Sequence, residues 1–358
     1  MVDEKTTRIS GRLARSVHRH FLWLLLGCYA LATAWPGPGL ALRQWQWSPP
    51  RVPDLPLSFP LILLALILFS AALLTDLAQV RTVLRHPLVL CVALLAVWLA
   101  PAVLVVAAGF IIPWAVDGQA TTGLVVGLAL VATMPVANSS VGWTQNANGN
   151  LALALALVVL SISLCPFVTP QLLRVLGMSL SPQEQAYCEM LVNRFSGVFF
   201  IIWVLLPTAA GFLCRYVATP QRIAHVGDWF ALASAAALLV LNYVNSALAL
   251  PEVYDSPTFL LLVTAALAAS LSVVGLLFGW VLARLIRLTS ATRSALLFGL
   301  SMKHTGLALI LAGAVLANEP LAILMIVLAT LMQHLFAGVV QWWLLRTANH
   351  VARTSVRP

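Results

Sequence analysis

The sequence predicts an all-α polytopic membrane protein with ten transmembrane helices in two inverted five-helix repeats. Three observations lead there. Of 358 residues, 61% are hydrophobic and 9% charged, and mean hydropathy is +0.97. A water-soluble domain carries about 25% charged residues, so this chain cannot cover itself with a solvated surface. Apolar runs of about 20 residues, the length that crosses a hydrocarbon core about 30 Å thick, recur along the whole chain. Two of these runs, each fourth in its half, are interrupted near the middle by polar, helix-hostile residues. A single-core soluble enzyme, a disordered chain and a disulfide scaffold are excluded, and ten spans leave no room for a soluble domain.

Taken in order, an N-terminal segment at 1–19 carries Arg8, Arg12, Arg15 and Arg19 and leads into the apolar stretch Phe21–Pro36. That stretch is longer than a signal-peptide core and has no clear small-residue cleavage site, so it reads as a retained first span. The first repeat (20–170) holds spans near 20–42, 57–75, 87–110, 121–146 and 150–169. A connecting loop at 171–194 follows. The second repeat (195–346) holds spans near 195–217, 228–250, 257–288, 293–317 and 320–345, before a tail at 347–358. None of these runs has the alternation of about 9–11 residues that marks a membrane β-barrel.

Basic residues set the orientation. With ten spans, 15 of the 20 Lys and Arg fall on the side of the two termini and 4 on the other. Cytoplasmic loops carry the excess of basic residues, which places both termini in the cytoplasm and the chain in a cell (inner) membrane. The net charge of +9 is thus a property of loops, not a nucleic-acid footprint. The five cysteines (Cys28, Cys91, Cys165, Cys188, Cys214) lack metal-ligand spacing and read as small buried hydrophobes. Among 18 Arg and two Lys, only Lys303 falls deep within an apolar run.

The fourth span contains Pro135, which removes a backbone donor, followed by Asn138, Ser139 and Ser140, residue types that cap a restarted helix. The ninth holds Lys303-His304-Thr305-Gly306 at its centre. Unwound backbone at membrane depth is tolerated only where it is buried in protein or lines a wet cavity. Because five is odd, the second half enters the membrane upside down relative to the first. Broken helices at matching places of inverted halves point to a transporter's midplane site. The restarted half-helices would present N–H groups and positive dipole ends suited to an anion.

At these breaks the chain resembles the bile acid:sodium symporter family. Met134-Pro-Val-Ala-Asn-Ser-Ser-Val-Gly-Trp-Thr-Gln-Asn-Ala-Asn-Gly-Asn150, with Pro166 beyond it, is similar to that family's fourth and fifth helices. Met302-Lys-His-Thr-Gly306 resembles its ninth-helix Met-Gln-Asn-Ser-Gly motif. Thr75-Asp76 through Val83-Leu84-Arg85-His86-Pro87, and Leu205-Leu206-Pro207 through Arg215, add support. The resemblance covers roughly residues 20–345. It implies a core of spans three to five and eight to ten around the crossing broken helices, and a panel of spans one, two, six and seven. It also implies inward transport of organic anions with sodium.

The sequence departs from that pattern at the sodium ligands. Aligned on Met302 and Gly306, the family's ninth-helix carboxylate falls at Gly299 and its Gln at Lys303. Aligned on Pro135 and Asn150, the fourth-helix Ser is kept as Ser140 but its Asn becomes Val141. The fifth-helix hydroxyls fall at Ala154 and Val158, and the third-helix Gln near Ala96. Sodium needs several oxygen ligands and compensating charge. Losing a carboxylate and gaining an ammonium shifts the local formal charge by +2, so the usual sodium sites are expected to be dead. No cofactor or metal is expected.

The ammonium of Lys303 then has two readings. It replaces the bound cation, neutralising an anionic substrate or holding the crossover together; or it satisfies carbonyls freed by the helix break. A buried Lys can also release its proton, which Arg cannot, so proton coupling and uncoupled exchange both stay open. The expected substrate-binding set is Asn138, Ser139, Ser140, Lys303, His304, Thr305, Gln333 and His334, with Trp143 packing and Asn148 and Asn150 capping the fifth helix. The expectation is a secondary transporter of a small organic anion by alternating access, independent of sodium, in contact with the lipid bilayer and not with nucleic acid, its oligomeric state open. A sodium symporter using backbone carbonyls and Ser139, and a non-transporting receptor on the same fold, are the rivals. No enzyme signature of the HExxH or Gly-x-Ser-x-Gly kind is present.

Overall fold

The computed structural model describes residues 20–47, 57–75, 87–116, 118–195, 200–253 and 257–355, together with Leu13, Ser16, Val17 and Val83. Most of the basic N-terminal segment, Arg51, and nearly all of the stretch from Asp76 to His86 lie outside the described residues.

Helices α1 (Phe21–Ala34) and α2 (Gly37–Gln44) divide the first apolar run and meet at 94°. Trp35, pushed out of the helical region by the proline after it, turns the chain there. Two two-residue strands, Gln46–Trp47 (β1) and Leu57–Ser58 (β2), pair antiparallel before α3 (Phe59–Leu74), which carries Pro60 in its first turn. Then come α4 (Pro87–Ile111), with Pro101 inside it, and the broken pair α5 (Gly118–Thr133) and α6 (Ser139–Asn146). Next, α7 (Leu151–Met178) starts where the Asn150 side chain accepts from Leu153 N at 3.1 Å. Asn148 makes no such cap; it takes a positive φ of 52° in the turn.

The second half begins with α8 (Pro182–Phe195) and a π-helical turn at Ile201–Leu205 running into α9 (Leu206–Val217). It continues with α10 (Pro220–Val253), α11 (Thr258–Leu285), the broken pair α12 (Ser290–Ser301) and α13 (Thr305–Val315), and α14 (Pro320–Ser355). Among the described residues, five helices are long and apolar enough to cross a membrane, or six if the bent pair α1–α2 counts as one. Shorter apolar helices are α3, α5, α13, and α9 with its π turn. Large apolar side chains such as Leu95, Leu99 and Val103 on α4, and Leu262, Leu277 and Val281 on α11, are exposed. An apolar exterior of this extent is what lipid covers. The protein is a multi-pass membrane protein.

Residues 171–194, expected as a connecting loop, are helical instead. Helix α7 runs on to Met178, and α8 opens on Ser181-Pro-Gln-Glu184, a reciprocal cap. Ser181 N donates to Glu184 Oε2 at 2.8 Å, and Glu184 N to Ser181 Oγ at 3.5 Å. The Tyr187 hydroxyl donates to Glu319 Oε1 at 2.8 Å, which ties α8 to the start of α14 and pushes the Tyr187 pKa up.

Helices α1, α2 and α3 pack with α10, and α9 packs with α3, while α4, α5, α7, α11, α12 and α14 pack among themselves; α10 meets α13 and α14 along the seam. Two Gly-xxx-Gly pairs bring backbones close in the second group. A Cβ on Gly127 would lie 2.8 Å from Ala322 O, and one on Gly275 would lie 2.6 Å from Ser301 Cα. Gly279, one turn on, faces Leu296 O in the same way. Helix α11 is thus held against the end of α12, where that helix breaks.

Candidate functional site

The two breaks satisfy each other. Pro135–Ala137 and Met302–His304 are extended and cross antiparallel, with Val136 opposite Lys303. Ala137 N donates to Met302 O at 3.0 Å, and His304 N to Pro135 O at 2.9 Å. The two remaining central N–H groups are taken by the helix that follows each broken pair. Val136 N donates to Ser161 Oγ on α7 at 3.0 Å, and Lys303 N donates to Gln333 Oε1 on α14 at 2.9 Å. This leaves the crossing rigid and its backbone hydrogen-bonded away from lipid.

Lys303 is only 2% exposed. Its ammonium donates to two backbone carbonyls, Val97 O and Met134 O, the latter at 3.3 Å. Both carbonyls are there for a covalent reason. Val97 lies four residues before Pro101, which has no N–H to give it. Met134 lies in the break just past α5, where the helical ladder has stopped. The negative end of the α5 dipole points the same way, and a cation there is favourable. The carbonyl of Thr133 next door is taken by Trp98 Nε1 at 3.1 Å and Thr169 Oγ1 at 2.7 Å. The ammonium therefore sits where a bound cation would be welcomed, turned toward backbone oxygens.

Beside the crossing lies a cavity of about 400 Å³. Seven of the eight expected residues line it: Asn138, Ser139, Lys303, His304, Thr305, Gln333 and His334. Ser140 does not; it is fully buried at the start of α6. The remaining wall is mostly apolar, with Ile67, Leu74, Leu155 and Leu238 among its members.

Several polar atoms on the wall are buried with no hydrogen-bond partner among the described residues: Asn138 Oδ1 and Nδ2, His304 Nε2 and Ser70 Oγ. Asn138 does not cap α6 with its side chain. His304 Nδ1 accepts from Leu307 N at 3.2 Å, capping α13. That bond assigns the neutral tautomer with hydrogen on Nε2, a donor aimed at the cavity. Gln333 has its oxygen engaged by Lys303 N, and His334 Nδ1 accepts from Trp143 Nε1 at 3.3 Å. Trp143 also stacks on Phe298 with ring centroids 6.4 Å apart. Sequence reasoning missed Ser70, a lone hydroxyl in the apolar run of α3, and missed Pro101 with the Val97 carbonyl it frees.

A sodium ion does not fit the residues present. Where the resemblance puts a carboxylate, a Cβ on Gly299 would lie 2.8 Å from Leu157 Cδ1, so Leu157 fills that space. Ala154 and Val158 are buried and bring no oxygen. Of the expected ligand oxygens Ser140 Oγ is kept, buried and without a partner among the described residues, while the Val97 and Met134 carbonyls are engaged by the Lys303 ammonium.

Crossing broken helices beside a buried cavity, inside an apolar exterior, define a multi-pass membrane protein of transporter type. The model of the sodium bile acid symporter family matches residues 61–253, more than half of the chain, and the chain belongs to that family. It is also similar to the uncharacterized protein YbaS of Bacillus subtilis (strain 168). The two are 23% identical over 276 residues, which span 77% of this chain and 80% of that protein.

Proposed function

We propose that this protein is a sodium-independent secondary transporter of a small organic anion, in which the Lys303 ammonium stands permanently where a co-transported cation would sit. The observation that carries this reading is the ammonium held by Val97 O and Met134 O at the crossing of the two broken helices. A unit positive charge about 4 Å from a bound cation opposes it by roughly 4 kcal/mol at an effective dielectric near 20. The fixed ammonium supplies the positive charge that binding an anion near mid-membrane requires. The anion itself would meet the unpartnered donors Asn138 Nδ2 and His304 Nε2, with Ser139 and Thr305 at the half-helix starts.

The proposed architecture is ten spans in two inverted five-helix repeats, with a core of α4–α7 and α11–α14 moving against a panel of α1–α3, α9 and α10. Support comes from the matched bonds at the two breaks. The bonds Val136 N to Ser161 and Lys303 N to Gln333 are counterparts, each acceptor supplied by the helix after its broken pair. The packing of α1, α2 and α3 with α10, and of α9 with α3, agrees with the panel. Both termini would be cytoplasmic, in a cell (inner) membrane. Uptake by proteoliposomes across a panel of organic anions, with sodium replaced by choline, tests the reading. Flux unaffected by the swap is expected. Strong sodium stimulation would overturn it, and binding without flux would favour a receptor.

A further inference from the structure

The cavity lies at one end of the helices that line it, and the other end is closed by a different set of contacts. Phe21 at the start of α1, Thr75 at the end of α3, and Ser234 on α10 line the cavity. At the far ends of the same helices lie Arg43, beyond α1; Leu61, at the start of α3; and Asn245 on α10. These three line a separate pocket of about 130 Å³ together with Ile310 and Gly313 of α13. Ser234 and Asn245 are 11 residues apart on one helix, about 16 Å at 1.5 Å per residue.

Arg43 bridges the two helix groups at this far end. Its Nη1 donates to Asn245 Oδ1 on α10 at 3.0 Å, and its Nη2 donates to Gly313 O at 2.6 Å. Gly313 lies in the last turn of α13, where carbonyls lack helical partners and a cation is favoured. A Cβ there would sit 2.9 Å from Arg43 Nη2, so a larger residue would displace the guanidinium. Asn245 is 1% exposed and is itself oriented by its Nδ2 donating to Leu241 O at 2.8 Å. Helix α2 reaches the spot because Gly39 lets it pack against Ala247 and Tyr243 of α10.

We infer that Arg43, with Asn245 and Gly313 O, is the latch that closes the membrane face opposite the cavity, and that its release is part of the change to the oppositely open conformation. The inference rests on the reading above, in which the core moves against the panel. Its geometry is asymmetric: one side of the bridge is α10, the other is the end of the broken helix that carries His304 and Thr305. Opening this face pulls α13 away from α10 and must break the Gly313 bond, since the guanidinium cannot span both acceptors once they separate. Arg43 is a positioning residue and is not placed against the substrate.

The test reads conformation directly and needs neither substrate nor cation, so a failed transport assay leaves it interpretable. With the five native cysteines replaced, single reporters Ile310→Cys at the latch face and Ser234→Cys at the cavity are labelled with a bulky maleimide in nanodiscs. Arg43→Ala should raise the labelling rate at position 310 by about tenfold, as losing a charge-assisted bond shifts a two-state balance, and should lower the rate at 234. Gly313→Ala, which keeps the charge but crowds the guanidinium off its carbonyl, should move both rates the same way by less. Unchanged labelling at 310 in both variants overturns the latch. A rise at 310 without a fall at 234 also overturns it, because that outcome is local loosening without a change of state.

Discussion

Replacing Lys303 by Gln tests the electrostatic argument at its centre. In the wild type the ammonium is engaged by Val97 O and Met134 O, and a sodium ion drawn to those oxygens would lie about 4 Å from Nζ. The repulsion of roughly 4 kcal/mol at an effective dielectric near 20 corresponds to about a thousandfold in affinity. Gln removes the charge, is shorter, and turns both carbonyls toward vacated space. A site of about 10 mM affinity would then be stabilised by about 1.6 kcal/mol at about 150 mM sodium, whereas one a thousandfold weaker would gain under about 0.1 kcal/mol. On a chain of this size the first figure corresponds to a rise in Tm of about 2 °C. The assay is thermal unfolding of purified protein with sodium chloride titrated against choline chloride at constant ionic strength. The variant is expected to respond specifically to sodium and the wild type not to. A variant no more responsive than the wild type refutes the reasoning.

Other outcomes follow from the same geometry. Asn138→Ala removes an amide with no hydrogen-bond partner among the described residues, so Tm should hold while substrate affinity falls by about tenfold, the worth of one hydrogen bond; a fall in Tm without loss of affinity would make Asn138 structural. Gly275→Val drives a side chain into the α12 backbone at Leu300–Ser301 and should cost about 1–3 kcal/mol or more of stability, read as lost folded yield in detergent. Tyr187 keeps its proton in the folded chain beyond the pH at which a free phenol ionises, because it donates to Glu319. Its contribution is therefore complete below about pH 10 and is lost as pH rises through the folded value. In Tyr187→Phe that part of the alkaline decline in Tm should be missing, and an unchanged alkaline profile would contradict the bond.

The breaks were legible because they are local. Pro135 and the Asn-Ser-Ser cluster sit within a few residues of one another, Lys303-His304-Thr305 are consecutive, and the helices stop where that chemistry predicts. Seven cavity-lining residues came from the same short stretches and from Gln333-His334. Three things were harder to see. The orientation of the Lys303 ammonium depends on Val97, some 200 residues away, whose free carbonyl follows from Pro101 but whose proximity follows from tertiary packing alone. The bend after α1 was written in Pro36-Gly37-Pro38-Gly39, yet hydropathy merged both arms into one span. Helix α8 looked like loop because it is polar, although Ser181-Pro-Gln-Glu184 announces a cap. The Gly-xxx-Gly pairs at Gly123/Gly127 and Gly275/Gly279 were likewise present to be read, and they explain how closely the broken helices are held.

Equilibrium binding of radioactive sodium to the purified wild-type protein bears most directly on whether a side chain has taken over a dissolved ion's post. The account predicts no saturable uptake of label at physiological sodium. Saturable binding that is displaced by unlabelled sodium but not by choline would contradict it.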